Sequence, residues 1–254
     1  MKLEGKAAIV TGAGTGVGRA TARMLALQGC SVLVNYSRSK DAAEQVSGEL
    51  RALGVKSIAH RADVANDADC RTMVATAVSM FGRLDVLVNN AGTTRFINHA
   101  DLDAVTGDDW DTILGVNLRG PFQCARAARS ALETHGQGNI VNVSSTAGLR
   151  AVGSSIPYCA SKGALNTLTL ALARTLAPKI RVNAVAPGFI AGDWLQQGLG
   201  DAYEKMKKFS ESRAVLGRVC EPDDVAAAIL SFITGSQLVT GQILPVEGGI
   251  HLAV

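Results

Sequence analysis

Short apolar runs and longer amphipathic stretches take turns along this chain. The runs are Ala7–Thr11, Ser31–Tyr36, Lys56–Arg61, Leu84–Val88, Asn139–Val143, Ile180–Ala186 and Gln242–Val246. They are rich in β-branched residues and predict strands. Between them, apolar residues at helical spacing predict helices near Val17–Gln28, Lys40–Ala52, Asn66–Phe81, Asp109–Glu133, Tyr158–Leu176 and Pro222–Thr234. The strand runs are almost continuously apolar, as they must be when helices cover both faces of a parallel sheet. Right-handed crossovers then give one α/β domain over residues 1–254, a doubly wound sandwich with a seven-stranded parallel sheet flanked by helices. Pro222, Asp223 and Asp224 mark a helix start, because proline lacks the amide hydrogen left unpaired there and acids oppose the helix dipole. The stretch Gly188–Arg218 shows no clear pattern and exceeds the usual loop length, which points to a working role.

Composition narrows the partners. With 25 Lys and Arg against 22 Asp and Glu, the net charge of +3 is too small to argue for nucleic acid, and no aromatic residues interleave with basic ones. Five cysteines without a CxxC pair give no disulfide or zinc framework, and four histidines far apart give no metal site. No long apolar run suggests a membrane segment, so a cytoplasmic location is expected.

Directly after the first strand, Thr11-Gly12-Ala13-Gly14-Thr15-Gly16-Val17-Gly18 opens a helix. Glycines allow a tight turn and let a dinucleotide pyrophosphate approach backbone amides without meeting a Cβ. Gly12, Thr15, Gly16, Val17 and Gly18 are therefore candidate cofactor residues of a Rossmann-type sheet. A carboxylate after the second strand would accept from both ribose hydroxyls and repel a 2′-phosphate. Here Asn35-Tyr36-Ser37-Arg38 supplies a hydroxyl at Ser37 and a guanidinium at Arg38 instead. That favours NADP(H), with NAD(H) as the alternative. Further on, Tyr158 and Lys162 lie four apart, one turn apart on one helix face.

Taken in order, these motifs resemble the classical short-chain dehydrogenase/reductase family over almost the whole chain. The resemblance implies contacts to adenine from Asp63 and Val64. It implies a cofactor border at Asn89, Ala91 and Gly92, and a nicotinamide-side turn at Pro187, Gly188 and Ile190. It also implies a catalytic set of Asn117, Ser145, Tyr158 and Lys162. In that set Ser145 hydrogen-bonds the substrate oxygen, and Tyr158 exchanges its proton. Lys162 lowers the phenol pKa and holds the nicotinamide ribose, while Asn117 bends its helix and organises a proton relay. Ser144 is expected to support the turn.

Two positions depart from the pattern. Thr15 stands where many NADP(H)-using relatives carry a basic residue, and Gly192 where relatives often carry a threonine. The segment 189–218 is expected to be a substrate lid, with an interface as the alternative for its apolar residues. The resemblance is to 3-oxoacyl-[acyl-carrier-protein] reductases and to sugar and alcohol dehydrogenases. It implies reduction of a small carbonyl or oxidation of an alcohol, and a homotetramer to which Phe122, Ala125, Leu165 and Leu168 could contribute. An acyl carrier protein is a candidate partner through Lys179, Lys205, Lys207 and Lys208. A non-catalytic nucleotide-binding protein is the rival class.

Overall fold

Alternate residues of each strand go to opposite faces of the sheet in the computed structural model, which describes residues 1–252. On one face Ala8, Val10, Val32, Val34, Val86, Val88, Val141 and Val185 pack with Leu25, Leu50, Ile229 and Ile233. On the other, Ile9, Leu33, Leu87, Ile140 and Val182 pack with Met73, Cys124, Leu132 and Leu176. Both layers are buried, so the strands are apolar at most positions, which explains their nearly continuous runs.

The strands are β1 (Ala7–Val10), β2 (Ser31–Tyr36), β3 (Ser57–Arg61), β4 (Val86–Asn89), β5 (Gly138–Val143), β6 (Ile180–Pro187) and β7 (Ile243–Val246). All pair in parallel in the order β3-β2-β1-β4-β5-β6-β7. The order reverses between β1 and β4, and the turns that follow these two strands border a crevice at their carboxyl ends. Helices α1 (Gly16–Leu27), α2 (Lys40–Ala52) and α3 (Asp67–Phe81) link the first four strands.

The expected helix Asp109–Glu133 is not one α-helix. It runs as α4 (Gly107–Leu114), a π-helical turn at Gly115–Arg119 and α5 (Gly120–Glu133). The turn begins at Gly115 and is followed by Gly120, and Asn117 at its centre spends its amide on Thr93 and Ser161, contacts that account for the wider turn. After β5 come the short α6 (Ala147–Arg150) and the long α7 (Ile156–Leu176). The Gly188–Arg218 stretch holds two helices, α8 (Asp193–Leu199) and α9 (Tyr203–Arg213). Neither has a strong apolar face, which is why the pattern was silent. The final helix α10 (Pro222–Thr234) begins at the predicted proline, with a reciprocal capping box between Glu221 and Asp224.

Ala125 and Leu165 belong to the chain's own interior, each 1 % exposed, whereas Phe122 is 41 % exposed beneath the Arg126 guanidinium. Among the described residues no helix is long and apolar enough to cross a membrane.

Candidate active site

One large cleft of about 1990 Å³ runs along the carboxyl edge of the sheet. It collects Gly12, Thr15, Gly16, Val17, Ser37, Arg38, Asp63, Val64, Ala91, Gly92, Ser145, Tyr158, Lys162, Pro187, Gly188 and Ile190. Residues scattered over 180 positions are thus brought to one edge by a parallel topology that puts every strand's exit on the same side.

At one end the glycine turn forms a cradle. Gly12 and Gly16 have φ of +61° and +52°, and no atom lies within 4 Å of where a Cβ on Gly16 would sit. The backbone there is bare toward the cleft. Thr15, the N-cap of α1, makes no side-chain cap, and the first turn carries no acid. The helix amides are therefore left for an anion, as a dinucleotide pyrophosphate requires. Gly18 serves from behind: a Cβ there would collide with the Gly12 carbonyl and the Asn90 amide, so its bareness lets α1 seat against the turn.

Asn35 and Asn90 hold this cradle. Asn35 Oδ1 accepts from Gly12 N at 3.2 Å, while its Nδ2 donates to the Ala62 carbonyl at 3.0 Å. Asn90 Nδ2 donates to the Thr11 and Gly12 carbonyls at 2.8 and 3.1 Å. The polar interruption of the β2 run at Asn35 was the available signal, because a buried amide needs partners. Asn89 faces away from the cradle, donating to Asn142 Oδ1 at 2.9 Å between β4 and β5.

Toward the middle of the cleft, Tyr158 and Lys162 project from α7 and are 8 % and 4 % exposed. Lys162 Nζ donates to the Val143 carbonyl at 2.8 Å and lies 5.7 Å from the Tyr158 ring centroid. Ser145 Oγ accepts from Ala147 N at 3.1 Å and donates to the Pro187 carbonyl at 3.4 Å, and it lies near enough to the phenol to oppose the rise in its pKa. Its neighbour Ser144 donates to Asn166 Oδ1 at 2.6 Å and so braces the turn from inside. Gly148 lets α6 lie directly against the α7 backbone at Lys162.

Asn117 is fully buried behind this group. Its Oδ1 accepts from Thr93 N at 2.8 Å, and its Nδ2 donates to Thr93 O at 2.9 Å and Ser161 Oγ at 3.1 Å. The π-helical turn thus clips the loop after β4 to the helix that carries Tyr158 and Lys162.

Burial sets the electrostatics of the free site. Burial pushes the Tyr158 phenol up to about 12, only partly opposed by Ser145. Burial also brings Lys162 down to about 8. Desolvation dominates both because neither group faces bulk water. The phenol of the free protein is therefore protonated at neutral pH.

The far end of the cleft is aromatic. Trp194 at the start of α8 lies 6.3 Å from Tyr158 and 6.4 Å from Phe96, centroid to centroid. Met206 and Phe209 of α9 also line it. The segment carrying α8 and α9 has a closed base, where Ala191 N donates to Cys220 O at 2.8 Å and Cys220 N to Phe189 O at 3.0 Å.

A phosphate cradle on a doubly wound sheet, opening into a buried Ser–Tyr–Lys cluster, defines a nicotinamide-dependent oxidoreductase. A family model described as Enoyl-(Acyl carrier protein) reductase matches residues 12–251. A Streptomyces violaceoruber protein assigned as ketoacyl reductase 2 of the granaticin polyketide synthase is 46 % identical, covering 98 % of this chain and 97 % of its own. The 3-oxoacyl-[acyl-carrier-protein] reductase FabG of Staphylococcus aureus is 38 % identical, with 97 % and 98 % covered. The chain belongs to the short-chain dehydrogenase/reductase family and is an NAD(P)-dependent oxidoreductase. Among solved structures, the NAD+-bound xylitol dehydrogenase superposes with a TM-score of 0.89 at 29 % identity, covering 98 % of this chain and 100 % of its own.

Proposed function

We propose that this protein is a cytoplasmic, NADP(H)-dependent reductase that converts a ketone into a secondary alcohol, with a 3-oxoacyl thioester as its leading substrate. The observation that carries the reading is Tyr158 beside Ser145 and Lys162 in the same cleft as the glycine turn, and the ketoacyl-reductase relatives support the reducing direction. The residues fit a dinucleotide. The bare amides around Gly12–Gly18 would hold the pyrophosphate, Asp63 and Val64 would border the adenine, and Lys162 would hold the nicotinamide ribose. Bound there, the cofactor supplies the hydride. Ser145 donates a hydrogen bond to the substrate oxygen, Tyr158 protonates it, and the Lys162 ammonium stabilises the negative charge left on the phenol. Asn117 keeps α7 and the loop after β4 in register for this.

NADP(H) is favoured by Ser37 and Arg38, both exposed in the cleft where a carboxylate would select NAD(H). The ketone is favoured over a polyol by Phe96, Trp194, Met206 and Phe209, which offer apolar surface and few hydrogen-bond partners. The names of the Streptomyces and Staphylococcus relatives point to the same substrate class. We assign the 189–218 segment as a lid over that end. An acyl carrier protein as donor, and a homotetramer that covers Phe122, complete the reading.

The test is initial-rate oxidation of NADPH and NADH with β-ketoacyl thioesters, cyclic ketones and an enoyl thioester, and reduction of NAD+ with xylitol. Turnover of β-ketoacyl thioesters with NADPH is expected. Turnover of xylitol with NAD+ alone would replace the reading with a polyol dehydrogenase.

The lid makes its own prediction. A Cβ on Gly198 of α8 would collide with the outer edge of the Phe96 ring. The ring can swing aside, so Gly198→Ala is expected to leave the melting temperature nearly unchanged. Substrate KM should rise about tenfold, the scale of a small change in pocket shape, while cofactor affinity stays within twofold. A parallel loss of cofactor affinity would show that α8 does not serve substrate binding.

A further inference from the structure

We propose that Arg61, at the end of β3, joins Arg38 in gripping the 2′-phosphate of NADP(H), so that two neighbouring strands set the cofactor preference. This rests on the NADP(H) reading above and adds a residue that no motif assigns.

Arg61 pairs in register with Tyr36, the last residue of β2. It therefore leaves the sheet beside the Ser37-Arg38 turn. Its Nε donates to the Ser37 carbonyl at 3.4 Å, which lays the guanidinium along that turn. Among the described residues no hydrogen bond or ion pair engages its Nη1 or Nη2, and none engages the Arg38 side chain. Both arginines line the cleft together with Ser37 and Ser39.

The nearby carboxylates are turned elsewhere. Asp63 Oδ1 accepts from Ala65 N at 2.9 Å, and Asp69 Oδ2 accepts from Asp63 N at 2.8 Å. Both are thereby folded into the turn between β3 and α3, and neither forms an ion pair with Arg61. This end of the cleft thus presents two unpaired forks of N–H donors and a hydroxyl. Two guanidinium forks side by side suit a phosphate dianion. An adenosine ribose with a free 2′-hydroxyl gives these forks little to hold. Arg61 also accounts for how the chain could favour NADP(H) with Thr15 in place of a basic residue.

The test measures kcat/KM and equilibrium binding for NADPH and NADH with the full-length wild type, Arg61→Gln and Arg38→Gln. Arg61 is exposed, and melting curves confirm that the variants are folded. In Arg61→Gln the preference for NADPH over NADH is expected to fall about tenfold, the lower range for one charge-assisted contact. NADPH binding should also lose part of its salt dependence. A wild-type preference for NADPH that survives in Arg61→Gln overturns the assignment and leaves the NADP(H) reading standing. Equal loss of NADPH and NADH binding would make Arg61 a structural residue and overturn it too. A wild type with no preference for NADPH overturns both.

Discussion

Tyr158→Phe is expected to lower the turnover of ketone reduction by roughly 10²–10⁴-fold, the usual worth of a positioned proton donor. The change removes one oxygen and little else. The ring stays buried, and its contact with Trp194 at 6.3 Å does not use the hydroxyl. Cofactor affinity should therefore stay within a few-fold, because the glycine cradle and the Ser37-Arg38 turn are untouched. Ser145 keeps its hydrogen bonds with the Ala147 amide and the Pro187 carbonyl. Stopped-flow turnover beside a fluorescence titration of NADPH separates the two quantities. A variant that keeps a tenth or more of wild-type turnover would remove Tyr158 from the proton path.

Lys162→Met carries the second large effect and ties it to pH. Burial brings the Lys162 pKa down from 10.5 to about 8, so the ammonium is present below that value and is lost as pH rises through it. Tyr158, at about 12, stays protonated throughout this window and cannot itself produce a loss near pH 8. The kcat/KM for reduction should accordingly be level below about pH 8 and decline above it. Removing the ammonium should cost roughly 10²–10³-fold, like the loss of one electrostatic donor in a dry site. The small residual activity of Lys162→Met should then lack the decline near pH 8. Methionine is unbranched, and the close approach of Gly148 is to the Lys162 backbone, which the substitution leaves unchanged. A decline that persists unchanged in the variant would assign it to another group.

The fold was legible because a parallel sheet covered on both sides leaves little choice of residue. The β2 run Ser31–Tyr36 matches the observed strand at both ends, and the glycine turn needs the strand before it and the helix after it. Tyr158 and Lys162 were legible for a similar reason, since four residues of helix fix a shared face. Periodicity was blind to the π-helical turn at Gly115–Arg119: one wider turn barely disturbs an apolar stripe, and its cause lies in contacts to Thr93 and Ser161, distant in sequence. Helices α8 and α9 were hidden because they rest on a cleft rather than on the core, and so carry no strong stripe. Arg61 was hidden because its relation to Ser37 exists only across the β2–β3 pairing. The depth of Tyr158 was also hidden, because spacing reveals the lysine but not the burial that raises the phenol in the free protein.

The decisive measurement is isotopic. The wild-type protein is given NADPH with deuterium at both positions of nicotinamide C4 together with a β-ketoacyl thioester, and the product is read by mass spectrometry. A 3-hydroxyacyl thioester with one deuterium at its carbinol carbon, formed in step with cofactor oxidation and abolished in Tyr158→Phe, is the expected result. Cofactor bound at the glycine cradle with no labelled alcohol from any ketone would contradict it.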